Sequence, residues 1–169
     1  MHHTVYLSLG SNLGDRQSNL ESAIQHLYPV FRSTKCSLIY ETPPWGYEDQ
    51  PTFLNMVLAG ETEYSPRKLL KFIKSVELKM GRENSIRYGP RMIDMDILFY
   101  DQLIYTGKGL SIPHPRIAER AFVLVPLVEI APHLIHPILN VTTSDLLKEL
   151  EIEGITPYGS PLDVCKGPG

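Results

Sequence analysis

The 169 residues predict a mixed α/β (α+β) domain: a ferredoxin-like βαββαβ core with a C-terminal helical extension. Three observations lead there. Four stretches before residue 100 have strand-like patterning, and two between them keep helical spacing. The stretches occur in the order β-α-β-β-α-β, which folds as a mainly antiparallel sheet with both helices on one face. Three further helical segments then follow without a return to alternation.

The first strand is TVYLSL (4–9), which alternates apolar and polar positions. GSNLGD (10–15) reads as a turn leading into a helix, where Leu20, Ala23, Ile24 and Leu27 recur at helical spacing until Pro29 ends the run. Residues 33–42 make the second strand, PPWGYEDQP (43–51) a proline-stiffened loop, and FLNMVLAGET (53–62) the third strand. Ser65-Pro66 supplies an N-cap and a first helical proline. Leu69, Leu70, Ile73, Val76 and Met80 form one apolar face, and Gly81 is the stop. A polar loop (82–90) leads to the fourth strand, 91–99. The extension holds a Pro-bracketed turn with a short helix (112–122), a helix at 123–132 broken or started near Pro126, and a capped helix at 142–150. From about residue 152 the Gly- and Pro-rich tail is expected to be loosely ordered, and residues 1–169 to form a single domain.

Composition narrows the function. A net charge of −3 argues against a dedicated nucleic-acid binder. No apolar run is long enough to span a membrane. Met1-His2-His3 passes straight into a strand pattern rather than a basic-then-apolar leader, so a cytoplasmic location is expected. Cys36 and Cys165 form no CxxC pair; reduced thiols are expected, with Cys36 a small core residue. Five of the eight arginines (Arg82, Arg87, Arg91, Arg116, Arg120) fall between 82 and 120. One Arg-rich region in a mildly acidic chain points to a small anionic ligand.

The fourth strand carries the chemistry. Alternation puts Ile93, Met95, Ile97 and Phe99 on one face and Asp94 and Asp96 on the other. A solvated sheet face would explain the aspartates. Two converging carboxylates facing clustered arginines are better explained by Mg²⁺, with the arginines on phosphate oxygens. Neither GxxxxGK[ST] nor GxGxxG occurs, so a nucleotide would be held by Arg, Mg²⁺ and loops; GSNLGD offers at most a helix-start amide group. Thr42-Pro43-Pro44-Trp45 with Phe53 and Asn55 could grip a flat heterocycle by stacking and edge hydrogen bonds, or could simply anchor the loop. His114 lies between prolines beside Arg116 and Arg120. His133 and His136 have metal-like spacing without a carboxylate partner, and Glu77 reads as a solvated helix residue. At this level two other classes stay open: a nucleotidyltransferase that releases pyrophosphate, and a regulatory ligand-binding module indifferent to Mg²⁺.

Gly10-Ser11-Asn12, Thr42-Pro43-Pro44, Gly81-Arg82, Gly89-Pro90-Arg91 with Asp94-Met95-Asp96, and PHPRIAERAFVLVPLVEIAP (113–132) occur together and in order. In this the chain resembles the 6-hydroxymethyl-7,8-dihydropterin pyrophosphokinase family from about residue 4 to 150. The resemblance implies transfer of pyrophosphate from ATP to a reduced pterin, with AMP released, in folate biosynthesis. It implies two Mg²⁺ ions on Asp94 and Asp96, with Arg82, Arg91 and the two aspartates as the catalytic set. For ATP it implies Glu77, Arg82, Arg87, Arg91, Ile97, Ser111, His114 and Arg120; for the pterin, Thr42, Pro43, Trp45, Phe53, Asn55 and Phe122. Other folate enzymes are the partners it suggests. Two positions depart from the family pattern: Tyr88 stands where many members have Trp, and Asn84 where many have a basic residue. Tyr88 can cover a ring with less area, and Asn84 cannot neutralise phosphate, so fewer cationic contacts and weaker lid closure are expected.

Overall fold

The computed structural model describes residues 1–46, 48–81, 91–159 and 165. In chain order the elements are β1 (His3–Ser11), α1 (Arg16–Leu27), β2 (Phe31–Cys36), β3 (Ile39–Thr42), β4 (Phe53–Thr62), α2 (Pro66–Lys79) and β5 (Asp94–Tyr100). Then come a small hairpin of β6 (Tyr105–Gly107) and β7 (Leu110–Ile112), a short 3₁₀ turn (Ile117–Glu119), α3 (Ala121–Ile130), α4 (Thr143–Lys148) and β8 (Thr156–Gly159). The main sheet runs β5-β1-β4-β3-β8, with β2 also on β4, and its pairings are antiparallel. With β2 and β3 counted as the one strand expected at 33–42, this is the predicted βαββαβ order.

Helix starts are fixed locally. The Asp15 carboxylate accepts the Ser18 amide, and Ser65 Oγ accepts the Lys68 amide ahead of Pro66. Each such cap contributes about 1 kcal/mol. Val5, Leu7 and Leu9 of β1 pack under Leu20, Ile24 and Leu27 of α1 and Leu69, Ile73 and Val76 of α2. A second core lies on the opposite face, where Val57, Leu98 and Phe99 meet Leu124 and Leu127 of α3 and Leu146 of α4.

Four expectations change. Phe99 does not share a face with Ile93, Met95 and Ile97. A register shift pairs Tyr6 with Phe99 but Leu7 with Ile97, so Leu98 is an inserted residue and Phe99 turns toward α3. The single strand at 33–42 is two, because Leu38 N–H is taken by the Glu129 carboxylate (2.9 and 3.1 Å) and Ser37 Oγ accepts the Val57 amide (2.9 Å). The tail is not loose at Thr156–Gly159, which pairs with β3 as β8. Cys36 and Cys165 are not free thiols: they form a disulfide across 129 residues of sequence, with Cα atoms 6.2 Å apart. No spacing rule could have paired them; the fold carries the C-terminal segment back to β2.

Candidate active site

The cleft sits on the α3 side of the sheet. Alternation along β1 puts Ser8 and Gly10 there, opposite Val5, Leu7 and Leu9 in the core. Register then sets their neighbours: Asp96 pairs with Ser8 and Asp94 with Gly10 on one side, and Asn55 with Gly10 on the other. Asp94, Gly10 and Asn55 therefore form one row across three strands. All three line a cavity of about 200 Å³ together with Ser8, Asp96, Arg91, His114 and Arg120.

Thr42, Pro43, Trp45, Phe53 and Phe122 line the same cavity, which brings together with Asn55 the six residues the resemblance implied for the pterin; Pro44 does not line it. Asn55 Nδ2 donates to Thr42 Oγ1 at 2.7 Å, which fixes both side chains. Gly10 leaves the room they need: a Cβ there would fall 2.4 Å from Asn55 Oδ1. Trp45 and Phe122 face each other with ring centroids 6.3 Å apart, tilted by 54°. The guanidinium carbons of Arg120 and Arg116 lie 4.8 and 5.4 Å from the centre of the Trp45 ring.

Arg120 is buried. Its Nη1 lies 3.7 Å from Asp96 Oδ2, and its Nε has no hydrogen-bond acceptor among the described residues. His114 follows β7 and is set by its main-chain bond to the Leu98 carbonyl (3.0 Å). Its Nδ1 accepts the Arg116 amide at 3.1 Å, so the neutral ring carries its proton on Nε2. Burial, then the Arg120 charge, pull its pKa down to about 4 against the opposing effect of Asp94. At neutral pH it is an uncharged donor.

Asp94 and Asp96 are half-buried hard-oxygen donors on one face of β5. Among the described residues no cluster of three or more His, Cys, Asp or Glu could hold a metal ion. That donor set fits Mg²⁺ completed by phosphate oxygens and water rather than an all-protein cage.

Other predicted residues lie elsewhere. Glu77 is not solvated but buried, accepting the Met95 amide at 3.0 Å and meeting Lys74 Nζ at 3.1 Å. Ile97 packs in the helix-covered core, and Ser111 pairs with Thr106 in the small hairpin. His136 is structural: its Nδ1 accepts the Ile138 and Leu139 amides (3.2 and 3.1 Å) and its ring meets Phe99 edge-on. Arg82, Asn84, Arg87 and Tyr88 lie outside the described residues.

Sequence reading missed Asn12 and Arg16 as organisers of the cleft. Asn12 was read as a turn residue, yet it is buried; its Oδ1 accepts the Arg91 amide and its Nδ2 donates to Gln50 Oε1 and the Pro51 carbonyl. Arg16 Nη1 reaches Glu41 (2.9 Å) and the Thr52 carbonyl (3.2 Å), tying α1 to both ends of the Trp45 loop. Ser8 and Gly10 could have been found, since their alternation with Leu7 and Leu9 was visible.

A family model described as 7,8-dihydro-6-hydroxymethylpterin-pyrophosphokinase (HPPK) matches residues 6–132. The chain is 47% identical over 135 residues to a 2-amino-4-hydroxy-6-hydroxymethyldihydropteridine pyrophosphokinase of Aquifex aeolicus, covering 80% of this chain and 84% of the relative. It is 45% identical over 153 residues to the enzyme of that name in Methylorubrum extorquens, covering 89% of this chain and 96% of the relative. It is also 40% identical to the folic acid synthesis protein FOL1 of Dictyostelium discoideum over 97% of this chain, but spans only 26% of that longer protein. A crystal structure of Plasmodium falciparum HPPK-DHPS superposes with a TM-score of 0.77 at 18% identity, covering 93% of this chain and 49% of that one, a likeness of fold.

Proposed function

The chain belongs to the 7,8-dihydro-6-hydroxymethylpterin-pyrophosphokinase family, and from that premise we propose that it moves the terminal pyrophosphate of ATP to the hydroxymethyl oxygen of 6-hydroxymethyl-7,8-dihydropterin. AMP leaves, and the pterin diphosphate goes on to folate synthesis. One observation carries the reading: a slot walled by Trp45, Phe53 and Phe122, with Asn55 and Thr42 on its rim, opens directly beside Asp94, Asp96, Arg91 and Arg120. A flat polar heterocycle and a polyphosphate are the two ligand types these halves suit.

Trp45 and Phe122 offer faces to the pterin ring, and Asn55 Oδ1 and Thr42 Oγ1 offer edge contacts. Pro43 and Phe53 close the sides. On the phosphate side, the buried Nε of Arg120, which has no acceptor among the described residues, and the Nε2–H of half-buried His114 are donors for anionic oxygens. Arg91 adds charge at the mouth, and Arg82 and Arg87 are the other arginines in this reading. The adenosine would lie toward the open edge of β5. Glu77 already takes the Met95 amide on that edge, and strand alternation turns the main chain of Ile97 the same way, with Ser111 on nearby β7.

Asp94 and Asp96 would hold Mg²⁺, two ions in this reading. When bound, Mg²⁺ supplies charge neutralisation on the phosphates and orientation for in-line attack. The chain's own residues position the reactants: the aromatic slot holds the hydroxymethyl group toward the carboxylates, Arg120 and Arg91 neutralise charge as the bond to AMP breaks, and the Trp45 loop excludes water. Consumption of ATP keeps a cytoplasmic location in the reading, and other enzymes of folate synthesis are its expected neighbours.

Incubation with ATP, Mg²⁺ and the pterin should yield AMP. Release of inorganic pyrophosphate instead would mean nucleotidyl transfer. Asp94→Asn and Asp96→Asn should each lower turnover by roughly 10²-fold or more. Near-normal turnover in either would remove that carboxylate from the site.

A further inference from the structure

Beyond residue 132, where the family model ends, the chain returns to the sheet and adds a strand beside the cleft. We propose that β8, locked in place by the Cys36–Cys165 disulfide, is a positioning element for the pterin-side wall. The term pterin-side rests on the function proposed above.

Three links join the β8 segment to the wall or to the residues that support it. β8 pairs with β3 through Ile39 with Gly159, Tyr40 with Pro157 and Glu41 with Thr156. β3 ends at Thr42, which with Pro43 lines the cavity. Ahead of β8, the Gly154 main chain lies against the Pro43 ring: with φ at +84°, a Cβ built there would sit 3.5 Å from Pro43 Cγ and Cδ. Behind it, the Tyr158 ring lies 5.8 Å from the Arg16 guanidinium, and Arg16 binds Glu41 and Thr52 at the two ends of the Trp45 loop.

Among the described residues little beyond these links holds the strand down. Thr156, Pro157 and Tyr158 are exposed, so β8 buries almost no core of its own. An exposed edge strand held mainly by its ladder bonds opens readily. The tether changes this. Cys165 is buried against the core under β2, and its carbonyl accepts Ser33 Oγ at 2.8 Å. With the chain fixed just beyond β8, re-docking is an intramolecular event at high effective concentration. The bond is also removable: a dithiol supplies two electrons and two protons, leaving two thiols and closing to its own disulfide.

The test compares the full-length oxidised protein, the same protein reduced with dithiothreitol, and Cys165→Ala and Cys165→Ser. Thiol titration of the untreated protein should find no free cysteine. Opening the tether should speed hydrogen exchange of the β3 amides that face β8, measured without substrates, while global unfolding stays a single cooperative transition. It should raise KM for the pterin roughly two- to tenfold, the cost of ordering a wall residue or two, with kcat and KM for ATP unchanged. Two free thiols in the untreated protein, or unchanged β3 exchange on reduction, would overturn the proposal; so would a parallel loss in both KM values and kcat. Faster exchange in a protein that makes no AMP would support the brace and remove the functional reading instead.

Discussion

Asn12 and Arg91 hold each other by a reciprocal pair of hydrogen bonds: Asn12 Oδ1 accepts the Arg91 amide at 2.7 Å, and the Arg91 carbonyl accepts the Asn12 amide at 3.0 Å. The same side chain donates to Gln50 Oε1 (2.9 Å) and the Pro51 carbonyl (3.1 Å). One buried amide thus joins the end of β1, the approach to the paired aspartates and the end of the Trp45 loop. Asn12→Ala strands these partners and should cost about 2 kcal/mol of stability, with about a tenfold loss of turnover. Asn12→Asp keeps the acceptor for Arg91 but turns an oxygen on the Pro51 carbonyl, so it should not rescue. Urea unfolding and AMP formation measure both effects. Stability and turnover within error of the parent would refute this role.

Gly10→Ala tests the close approach of β1 to the pocket. Its new methyl would meet Asn55 Oδ1 at 2.4 Å, and Asn55 cannot simply swing away while it is bonded to Thr42. The expected cost in stability is modest, about 1–3 kcal/mol. The larger effect should be on the pterin, whose KM should rise well above that of ATP. Equal changes in the two KM values would contradict the placement of Asn55 on the pterin rim.

Much of this was legible from periodicity, and the failures have local causes. Strand alternation placed Asp94 and Asp96 correctly because the first half of β5 keeps register with β1. It misplaced Phe99 because the inserted Leu98 resets the alternation, and nothing in the apolar run ILFY marks a bulge. It merged β2 with β3 because the break depends on Glu129, a residue 91 positions from Leu38. Glu77 was read as solvated because its partner, the Met95 amide, is a main-chain group that no sequence pattern displays. The organising roles of Asn12 and Arg16 are hidden for a related reason: their partners lie 25 or more positions away in sequence, and several are main-chain groups.

The Glu129 contact predicts a pH response. Burial, and after it the hydrogen bond and charge of Glu129, raise the Tyr40 phenol above its ordinary value of 10.0, and Tyr40 Oη donates to Glu129 Oε1 at 2.6 Å. The fold therefore favours the protonated phenol. Its contribution is complete below the unfolded value near 10 and is lost as pH rises beyond it, because the unfolded chain releases the proton first. Urea midpoints from pH 8 to 11 should fall more steeply for the parent than for Tyr40→Phe, which should start lower and change less. Parallel curves would show that the phenol keeps an ordinary pKa.

Trp45 cannot stay where it is when a flat ring enters. Stacking a heterocycle between two aromatic faces takes two gaps of about 3.5 Å, roughly 7 Å in all between near-parallel rings. The Trp45 and Phe122 centroids are 6.3 Å apart and tilted by 54°. Arg120 and Arg116 hold Trp45 in that pose by cation–π contacts, each worth about 0.5–2 kcal/mol. Arg120 is also the buried donor expected to turn to phosphate, so nucleotide should loosen the tryptophan. Trp45 is the single tryptophan of the chain, and its emission reports this directly. Adding ATP with Mg²⁺ should shift the emission of the parent. Arg120→Met should show a shifted emission before any ligand is added and little further change with ATP. The same nucleotide-induced shift in both proteins would mean that Arg120 does not hold the tryptophan.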